Sequence, residues 1–301
     1  MTSQALIVAV CPSGVVTGGP EAAHQLVAMA NEISPGSGYI CYHPFDEDHE
    51  VPEAYRVYGT PSIRRDEIPE HALVVIPEIW PEMIETFNQR CAFWWLSVDN
   101  FWNWGGNTEA MLTAVVQLTQ SEYARRHVAE KFGVEPLMLT DYINTSFGPT
   151  ADVEKHLRVA VNPAKGKQSI EVFTQWYPDI DMIELKDMTR EEVAAELAAS
   201  AIYIDFGHHP GRDRMPREAA LSGVVVITTD TGAAANHVDM PINRWYKVAT
   251  MEEVGERVHA VLNDLPRHVA AQEYYREVVH GQREVFRAEV RQLLDFAASG
   301  D

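Results

Sequence analysis

Residues 202–227, IYIDFGHHPGRDRMPREAALSGVVVI, constrain the fold more than any other part of this 301-residue chain. They predict the end of a buried strand at 201–205, a loop rich in Gly, His and Arg, a short helix and a second buried strand. Pro216 suits the first turn of that helix, and Gly223 suits its end. Such a strand–loop–helix–strand unit is typical of a parallel α/β sheet, in which loops at the carboxyl ends of strands bind anionic ligands.

The loop and the start of its helix carry groups suited to a phosphorylated sugar. Arg212 and Arg214 supply cations that match phosphate oxygens. Glu218 lies one turn inside the helix, where its carboxylate can accept hydrogen bonds from hydroxyl groups. We therefore interpret this segment as a binding loop; the alternative is a surface loop with solvated charges.

A second candidate anion site is the segment Val-Asn-Pro-Ala-Lys-Gly-Lys at residues 161–167. It ends a predicted strand and begins a predicted helix, so backbone amides at the helix start and the Lys165 or Lys167 ammonium are available to a diphosphate. Taken alone, this segment is equally well explained as a solvated turn. Its occurrence in the same half of the chain as the Arg212 loop favours the phosphate role.

Strand-like and helix-like segments alternate along the whole chain, which predicts an α/β fold with parallel sheets. Residues 141–151 contain Gly148-Pro149 and little hydrophobic periodicity, and they predict a linker. We expect one domain at 1–148 and a second at 149–301, ending in a long helix at 266–298. The predicted elements before the linker are strands at 5–10, 39–42, 73–76, 92–98, near 120 and 137–139, with helices at 21–31, 81–88, 108–116 and 121–132.

Composition limits the partners and the compartment. The formal net charge of −20 opposes binding to nucleic acid and to anionic membranes, so we expect no nucleic-acid partner and at most peripheral membrane association. No apolar run approaches the roughly 20 residues of a bilayer span. Cys11, Cys41 and Cys91 lack metal-ligand spacing and suit buried reduced thiols, which favours the cytoplasm. The sequence contains no H-E-x-x-H motif, no cysteine cluster and no D-x-D motif suited to a divalent metal, and we predict no metal.

Several motifs together resemble those of bacterial glycosyltransferases with the GT-B fold, which act in surface polysaccharide synthesis. The resemblance covers the Gly-Gly turn at 18–21, the strand Trp-Trp-Leu-Ser-Val-Asp-Asn at 94–100, Gln-Ser-x-Tyr-Ala at 120–124, Asn-Pro-x-Lys-Gly at 162–166 and the loop before Glu218. It implies two Rossmann-like domains facing a cleft, with a terminal helix that crosses back to the first domain. The implied activity moves a sugar from a nucleotide-sugar donor to a hydroxyl of a carbohydrate or glycolipid acceptor, with no cofactor besides the donor.

The resemblance also assigns roles to residues. The implied acceptor side is the first domain, where Asp99 is the candidate general base of an inverting reaction and His24 a second catalytic candidate. Glu78 and Trp102 are the candidate acceptor contacts. Many members carry a second glutamate at the position of Pro210, so that motif is incomplete here. The implied donor and phosphate contacts are Gly18, Gly19, Asn162, Lys165, Gly166, His209, Gly211, Arg212, Arg214, Glu218 and Gly232.

Each first-domain candidate has a structural alternative. Gly18 and Gly19 also suit a tight turn, Asp99 an Asx-turn or helix cap, Glu78 a cap of the helix near residue 81, and His24 a site at the core edge. Trp94 and Trp95 lie within a strand, and we assign them to the core. Two alternative functions also remain open: an epimerase acting on a nucleotide-sugar, and a non-catalytic nucleotide-sugar-binding protein. A modified DNA base as acceptor is opposed by the net charge.

Overall fold

The computed structural model of the protein describes residues 4–47, 49–144, 147–148 and 153–299. The chain forms two compact units. The first consists of the chain up to Tyr142 together with the segment from Arg283 onward, and the second is Ile143–Gln282. Within the predicted linker at 141–151, residues 145–146 and 149–151 lie outside the described part of the chain, and so does Pro149 of the expected boundary.

The first unit is a parallel sheet flanked by helices. Its strands follow the spatial order β2-β1-β3-β4-β5-β6. This order reverses direction between β1 and β3, which makes the carboxyl ends of these two strands the switch point of the sheet. The elements are β1 Ile7–Pro12, α1 Gly18–Ile33, β2 Gly38–His43, β3 Leu73–Pro77, β4 Arg90–Trp95, α2 Val98–Asn103, α3 Thr108–Leu112, β5 Val116–Thr119, α4 Glu122–Phe132 and β6 Leu137–Met138.

Both faces of this sheet are buried. Along β1, Ile7 and Ala9 pack on one face, while Val8 and Val10 pack on the other, as the two-residue period of a strand requires. The helical spacing of the last helix places its apolar side chains on the Ile7 face. There Phe286, Val290, Leu293, Leu294 and Ala297 join the core, so the predicted return of the terminal helix to the first domain is confirmed.

The second unit is a smaller parallel sheet with the spatial order β11-β10-β9-β7-β8. The order reverses between β7 and β9, so the loops that follow these strands flank its switch point. A capping box of Thr189 and Glu192 begins the helix α6, Arg190–Ala199. The elements are β7 His156–Val161, α5 Lys167–Trp176, β8 Met182–Glu184, α6 Arg190–Ala199, β9 Ser200–Asp205, α7 Arg214–Leu221, β10 Val225–Thr229, β11 Lys247–Val248, α8 Met251–Asn263, α9 Leu265–Ala271 and α10 Glu273–Ser299.

Several predicted elements have different bounds in the structure, and three of these differences are informative. The strand expected at 92–98 ends at Trp95, because the Ser97 side chain caps a helix that begins at Val98. The helix expected at 108–116 ends at Leu112, because Val116 already pairs with Ala92 in the sheet. Residues 81–88, expected to be a helix, contain a short 3-10 helix at Pro81–Thr86.

The terminal helix expected at 266–298 is broken at Gln272, between α9 and α10. The Gln272 amide accepts a hydrogen bond from the Val226 N–H at 2.9 Å and donates one to the Val226 carbonyl at 2.8 Å. Because β11 pairs with β10 only at Thr228 and Thr229, the amide takes the place of a neighbouring strand beside Val226. Satisfying this buried backbone pair therefore fixes the break in the helix.

Among the residues that the structure describes, no helix combines the length and the apolar composition that a bilayer span requires.

Candidate anion-binding site

The two loops predicted to bind phosphate touch each other at the switch point of the second sheet. Gly166 follows β7 with a positive φ of 69°, and a Cβ atom there would lie 2.6 Å from Cβ of Phe206, which follows β9. A Cβ atom on Gly207 would lie 2.9 Å from Cβ of Lys165. Both contacts are closer than side chains allow, so glycine at these positions is what lets the loops pack together.

Lys165 forms an ion pair across this contact. Its Nζ atom lies 2.6 Å from Oδ1 of Asp213, and Oδ2 of the same carboxylate lies 2.8 Å from Nδ1 of His209. Burial by itself raises the pKa of the Asp213 carboxyl, but the His209 contact and the Lys165 ammonium outweigh burial and hold that pKa below its ordinary value. Asp213 is thus an anion already seated between Lys165 and His209.

The loop after β9 is shaped by Asp205, the last residue of that strand. Its carboxylate accepts hydrogen bonds from the Gly207 N–H at 3.0 Å and from the Tyr203 hydroxyl at 3.1 Å. Asp205 is itself buried, and its Oδ1 atom lies 3.9 Å from Nε2 of His209. Buried hydrogen bonds, rather than exposed polar contacts, therefore fix the conformation of this loop.

A third loop, the one after β10, closes on the same place. The Ala233 N–H donates to the His209 carbonyl at 2.8 Å. Gly232 has a positive φ of 56°, and a Cβ atom there would lie 1.9 Å from that carbonyl oxygen. The structure thus brings together the predicted residues Lys165, Gly166, His209 and Gly232 from three loops.

The arginines of this region have separate roles. Nε of Arg214 lies 3.5 Å from Oε1 of Glu218, one turn later on α7, so these two predicted ligand contacts are neighbours. Arg212 lines a small cavity together with Asp213, Asp239 and Tyr275. The Tyr275 hydroxyl, buried in this cavity, has no hydrogen-bond partner among the described residues, and burial raises its pKa to about 12.

Asp205, His209 and Asp213 bring three ligand-type atoms within 4.8 Å of one another, a geometry that a metal ion can use. Lys165, however, already contacts Asp213 at 2.6 Å and supplies a positive charge to this cluster. The Lys165 ammonium is therefore a cation that already lies against this cluster.

Two residues of this site had no individual signal in the sequence. Asp213 belongs to no sequence motif, although it contacts both Lys165 and His209 in the structure. Arg217 is among the largest fully buried side chains, with 1% of its surface exposed. It lies within a run of buried residues of α7, at 216–221, and its charge gave no indication of burial.

In the first unit, predicted residues also follow the strands of the switch point. Gly18 and Gly19 begin α1 just after β1, and Glu78 directly follows β3. A Cβ atom on Gly19 would meet Leu96 at an ordinary 3.5 Å, so the sheet does not require glycine there. The ligand contacts of these two glycines stay a prediction.

Glu78 is buried and both of its oxygens are engaged by protein donors. Oε2 accepts from the Leu96 N–H at 3.2 Å, and Oε1 accepts from the Asn100 side chain at 3.1 Å. Burial raises the pKa of the Glu78 carboxyl to about 7, against the hydrogen bonds, which lower it. Glu78 thus ties β3 to the turn before α2, and this geometry gives no support to an acceptor contact or to a cap of the 3-10 helix at Pro81.

His24 is a core residue in the structure. It is fully buried, with its Nδ1 atom 2.7 Å from the Thr60 hydroxyl and its Nε2 atom 3.1 Å from the Tyr42 hydroxyl. Burial lowers the pKa of His24 to about 4, although nearby Glu21 opposes this effect. A neutral imidazole with both nitrogens engaged does not serve as an accessible acid or base, so the catalytic expectation for His24 has no geometric support.

The other candidates of this unit lie on or next to α2. Asp99 is in the first turn of α2, while Ser97 is the residue that caps the helix, so the cap alternative for Asp99 is wrong. One face of the Trp102 ring is covered by Nζ of Lys131 at 3.6 Å from the ring centroid, which leaves less of the ring for sugar stacking than we expected. Trp94 and Trp95 are buried, as predicted.

Comparison with solved structures identifies the architecture. The chain is similar to sucrose-phosphate synthase from Thermosynechococcus elongatus (TM-score 0.69, 12% identity, covering 98% of this chain and 100% of that chain). It is also similar to Anabaena Alr3699/HepE in complex with UDP-glucose (TM-score 0.66, 11% identity, 98% and 100%) and to AviGT4, a glycosyltransferase involved in avilamycin A biosynthesis (TM-score 0.58, 14% identity, 96% and 98%).

No family model matches the sequence, and the search of curated proteins finds no match. At such low identities, structural similarity establishes the fold rather than the activity. The similarity to these structures covers 98% of the chain, which includes both parallel sheets and the terminal helix. The chain therefore has the GT-B fold, with its candidate anion-binding site at the switch point of the second sheet.

Proposed function

We propose that the protein is a glycosyltransferase that moves a sugar from a nucleotide-sugar donor to a hydroxyl group of a carbohydrate acceptor. The observation that carries this proposal is the contact between the Lys165 loop and the Asp213 loop at the switch point of the second sheet. Open α/β sheets bind nucleotides at such points. The fold shared with Alr3699/HepE, whose structure contains UDP-glucose, supports a nucleotide-sugar as the ligand.

Each residue of the site has a role in this proposal. Lys165 and Arg214 neutralise the diphosphate, which leaves with the electron pair of the broken sugar–phosphate bond. The new bond forms between the sugar and the acceptor oxygen, and the acceptor proton passes to a base, for which Asp99 is the candidate if the reaction inverts configuration. Glu218 accepts hydrogen bonds from the ribose hydroxyls. The amides of Gly166 and Gly232 donate to the phosphates in this proposal, from loops that pack too closely to admit a side chain at either position.

The acceptor class, the metal independence and the cellular location expected from the sequence belong to the same proposal. An acceptor in polysaccharide or glycoconjugate synthesis and a metal-independent reaction follow from the resemblance seen in the sequence. A cytoplasmic location suits the three cysteines, which are buried and free. Sucrose-phosphate synthase and AviGT4 are named for different products, so the acceptor has to be determined by experiment.

A thermal-shift screen with UDP-, GDP-, dTDP- and CMP-linked sugars tests the donor. A ligand at 100 times its dissociation constant adds about 2.7 kcal/mol to the free energy of unfolding. We expect one nucleotide class to raise the melting temperature of the wild type and of Lys186→Met, a control that removes an exposed lysine of the same unit. Lys165→Met should lose most of this shift.

A second assay separates transfer from the two alternatives. Incubating the protein with the donor alone yields an epimerised donor if the protein is an epimerase. A transferase releases the nucleotide in the presence of an acceptor and transfers the sugar to it. Binding without turnover under either condition would leave a non-catalytic binding protein, and the absence of any nucleotide-dependent shift would contradict the proposed donor site.

A further inference from the structure

Arg217 is a fully buried arginine of α7 that donates hydrogen bonds to the backbone of the candidate site. Its Nη2 atom donates to the Arg212 carbonyl at 2.8 Å, and its Nε atom donates to the Asp213 carbonyl at 3.2 Å. Its Nη1 atom donates to Oε1 of Gln282 at 3.0 Å. One guanidinium thus joins two consecutive residues of the loop to a side chain of α10.

This burial demands an explanation, because removing a guanidinium from water costs free energy that is regained only through well-formed hydrogen bonds. Arginines are rarely fully buried for this reason. The three contacts are made to neutral oxygens and use the planar fork of donors, which a lysine ammonium does not reproduce. These three hydrogen bonds therefore hold the backbone of residues 212 and 213 in a particular shape.

The backbone that Arg217 holds is the part of the loop that carries the ligand groups. Asp213 is the partner of Lys165 and His209, and the neighbouring residues Arg212 and Arg214 carry the cations of the loop. Gln282 is itself 3% exposed and is the last residue of the second unit along α10. The anchor of the contact is thus a long helix and not another loop.

We propose that Arg217 is a positioning residue, which fixes residues 212 and 213 in the conformation that binds an anion and uses Gln282 on α10 as its anchor. Where the anion is the diphosphate of a nucleotide, the inference rests on the proposed function. The effect on the shape of the loop does not depend on the identity of the ligand. The two parts are therefore tested separately.

Hydrogen exchange of the ligand-free protein tests the shape of the loop. We expect the amides of residues 211–214 to exchange at least about tenfold faster in Arg217→Met, since each tenfold corresponds to only about 1.4 kcal/mol of local opening free energy. The control is Arg276→Met, which removes a buried arginine whose hydrogen bonds go to Val269 and Glu273 instead. Equal exchange of this loop in the two variants would overturn the proposal.

Binding of UDP, measured by calorimetry, tests the consequence for the ligand. We expect Arg217→Met and Arg217→Lys both to raise the dissociation constant about tenfold or more, Gln282→Met to raise it by a smaller factor, and Arg276→Met to leave it unchanged. A dissociation constant of Arg217→Lys equal to that of wild type would show that only the charge matters and would overturn the positioning role.

If wild type binds no nucleotide, the proposed function fails, while the exchange experiment still decides the role of Arg217. If Arg217→Met does not fold, Arg217→Lys and Gln282→Met carry the exchange comparison.

Discussion

The Nζ atom of Lys165 lies 2.6 Å from Oδ1 of Asp213, and this pair joins the two loops that flank the switch point of the second sheet. Lys165 follows β7, whereas Asp213 follows β9 and precedes α7. The Lys165 ammonium is therefore already paired with a carboxylate, and under the proposed function the donor diphosphate has to compete with Asp213 for it.

The first prediction concerns Asp213 and acid stability. Because the pKa of Asp213 is lowered in the folded protein, the unfolded state binds more protons as the pH falls through the ordinary value of 3.8. The stabilisation is present above that pH and is lost below it. We expect the urea midpoint of wild type to fall more steeply on acidification below pH 3.8 than that of Asp213→Asn. The exposed control Asp181→Asn should follow wild type, and identical acid profiles for all three proteins would contradict the ion pair.

The second prediction concerns Gly232, whose added Cβ atom would lie 1.9 Å from the His209 carbonyl oxygen. Gly133 is the matched control, because it has a similar positive φ of 68° but open space around it. We expect Gly133→Ala to cost about 1–2 kcal/mol through backbone strain alone. Gly232→Ala should cost more and should also weaken nucleotide binding, since the loop after β10 has to move. Equal losses of stability in the two variants, measured by urea unfolding, would show that the close contact is unimportant.

The third prediction concerns Glu218. Its truncation to alanine removes the proposed partner of the ribose hydroxyls and leaves Arg214 without this neighbour. We expect Glu218→Ala to weaken nucleotide-sugar binding by about 1.5–3 kcal/mol, the usual range for hydrogen bonds to a charged group. The control Glu171→Ala removes an exposed glutamate of α5 in the same unit. Unchanged affinity in a folded Glu218→Ala protein, measured by calorimetry, would remove this residue from the site.

The fourth prediction concerns Glu78, whose pKa is raised from 4.5 to about 7 by burial. Between these two values the folded protein keeps a proton that the unfolded chain has released, so the free energy of unfolding falls as the pH rises. The free energy of unfolding falls by about 3 kcal/mol between these two pH values. We expect Glu78→Gln to gain stability relative to wild type on going from pH 5 to pH 8, as measured by urea unfolding. A constant difference between the two proteins across this range would mean that Glu78 titrates normally.

The fifth prediction concerns Asp99, the candidate base in the first turn of α2. Asp99→Asn keeps the shape of the side chain and removes its basicity. If Asp99 takes the acceptor proton, kcat should fall about 10²–10⁴-fold with little change in donor affinity. Near-normal transfer by this variant with an authentic donor and acceptor would exclude the role of general base and leave the proposed donor site intact.

The sequence by itself was sufficient to predict the α/β class, most of the strands, and the two loops of the candidate site. These features depend on local patterns. Buried strands are short apolar runs, Thr189 and Pro216 mark the starts of helices, and Gly223 marks the end of one. The parallel order of the strands follows from the same alternation, because each strand-to-strand connection is a helix or a long crossover. Lys165 and Glu218 were identified at this level, from their positions relative to predicted strand ends.

Only the tertiary structure shows which polar residues are buried and hydrogen-bonded within the protein. Glu78 and His24 looked like site residues in the sequence, but each is buried with its polar atoms engaged by the protein. Conversely, Asp213 and Gln272 stood out only when their distant partners, Lys165 and Val226, were known. Local patterns carry information about burial and turns, whereas pairing between distant residues depends on the packing of whole elements. The strands and loops were therefore readable from the sequence, and the partners within the site were determined only by the fold.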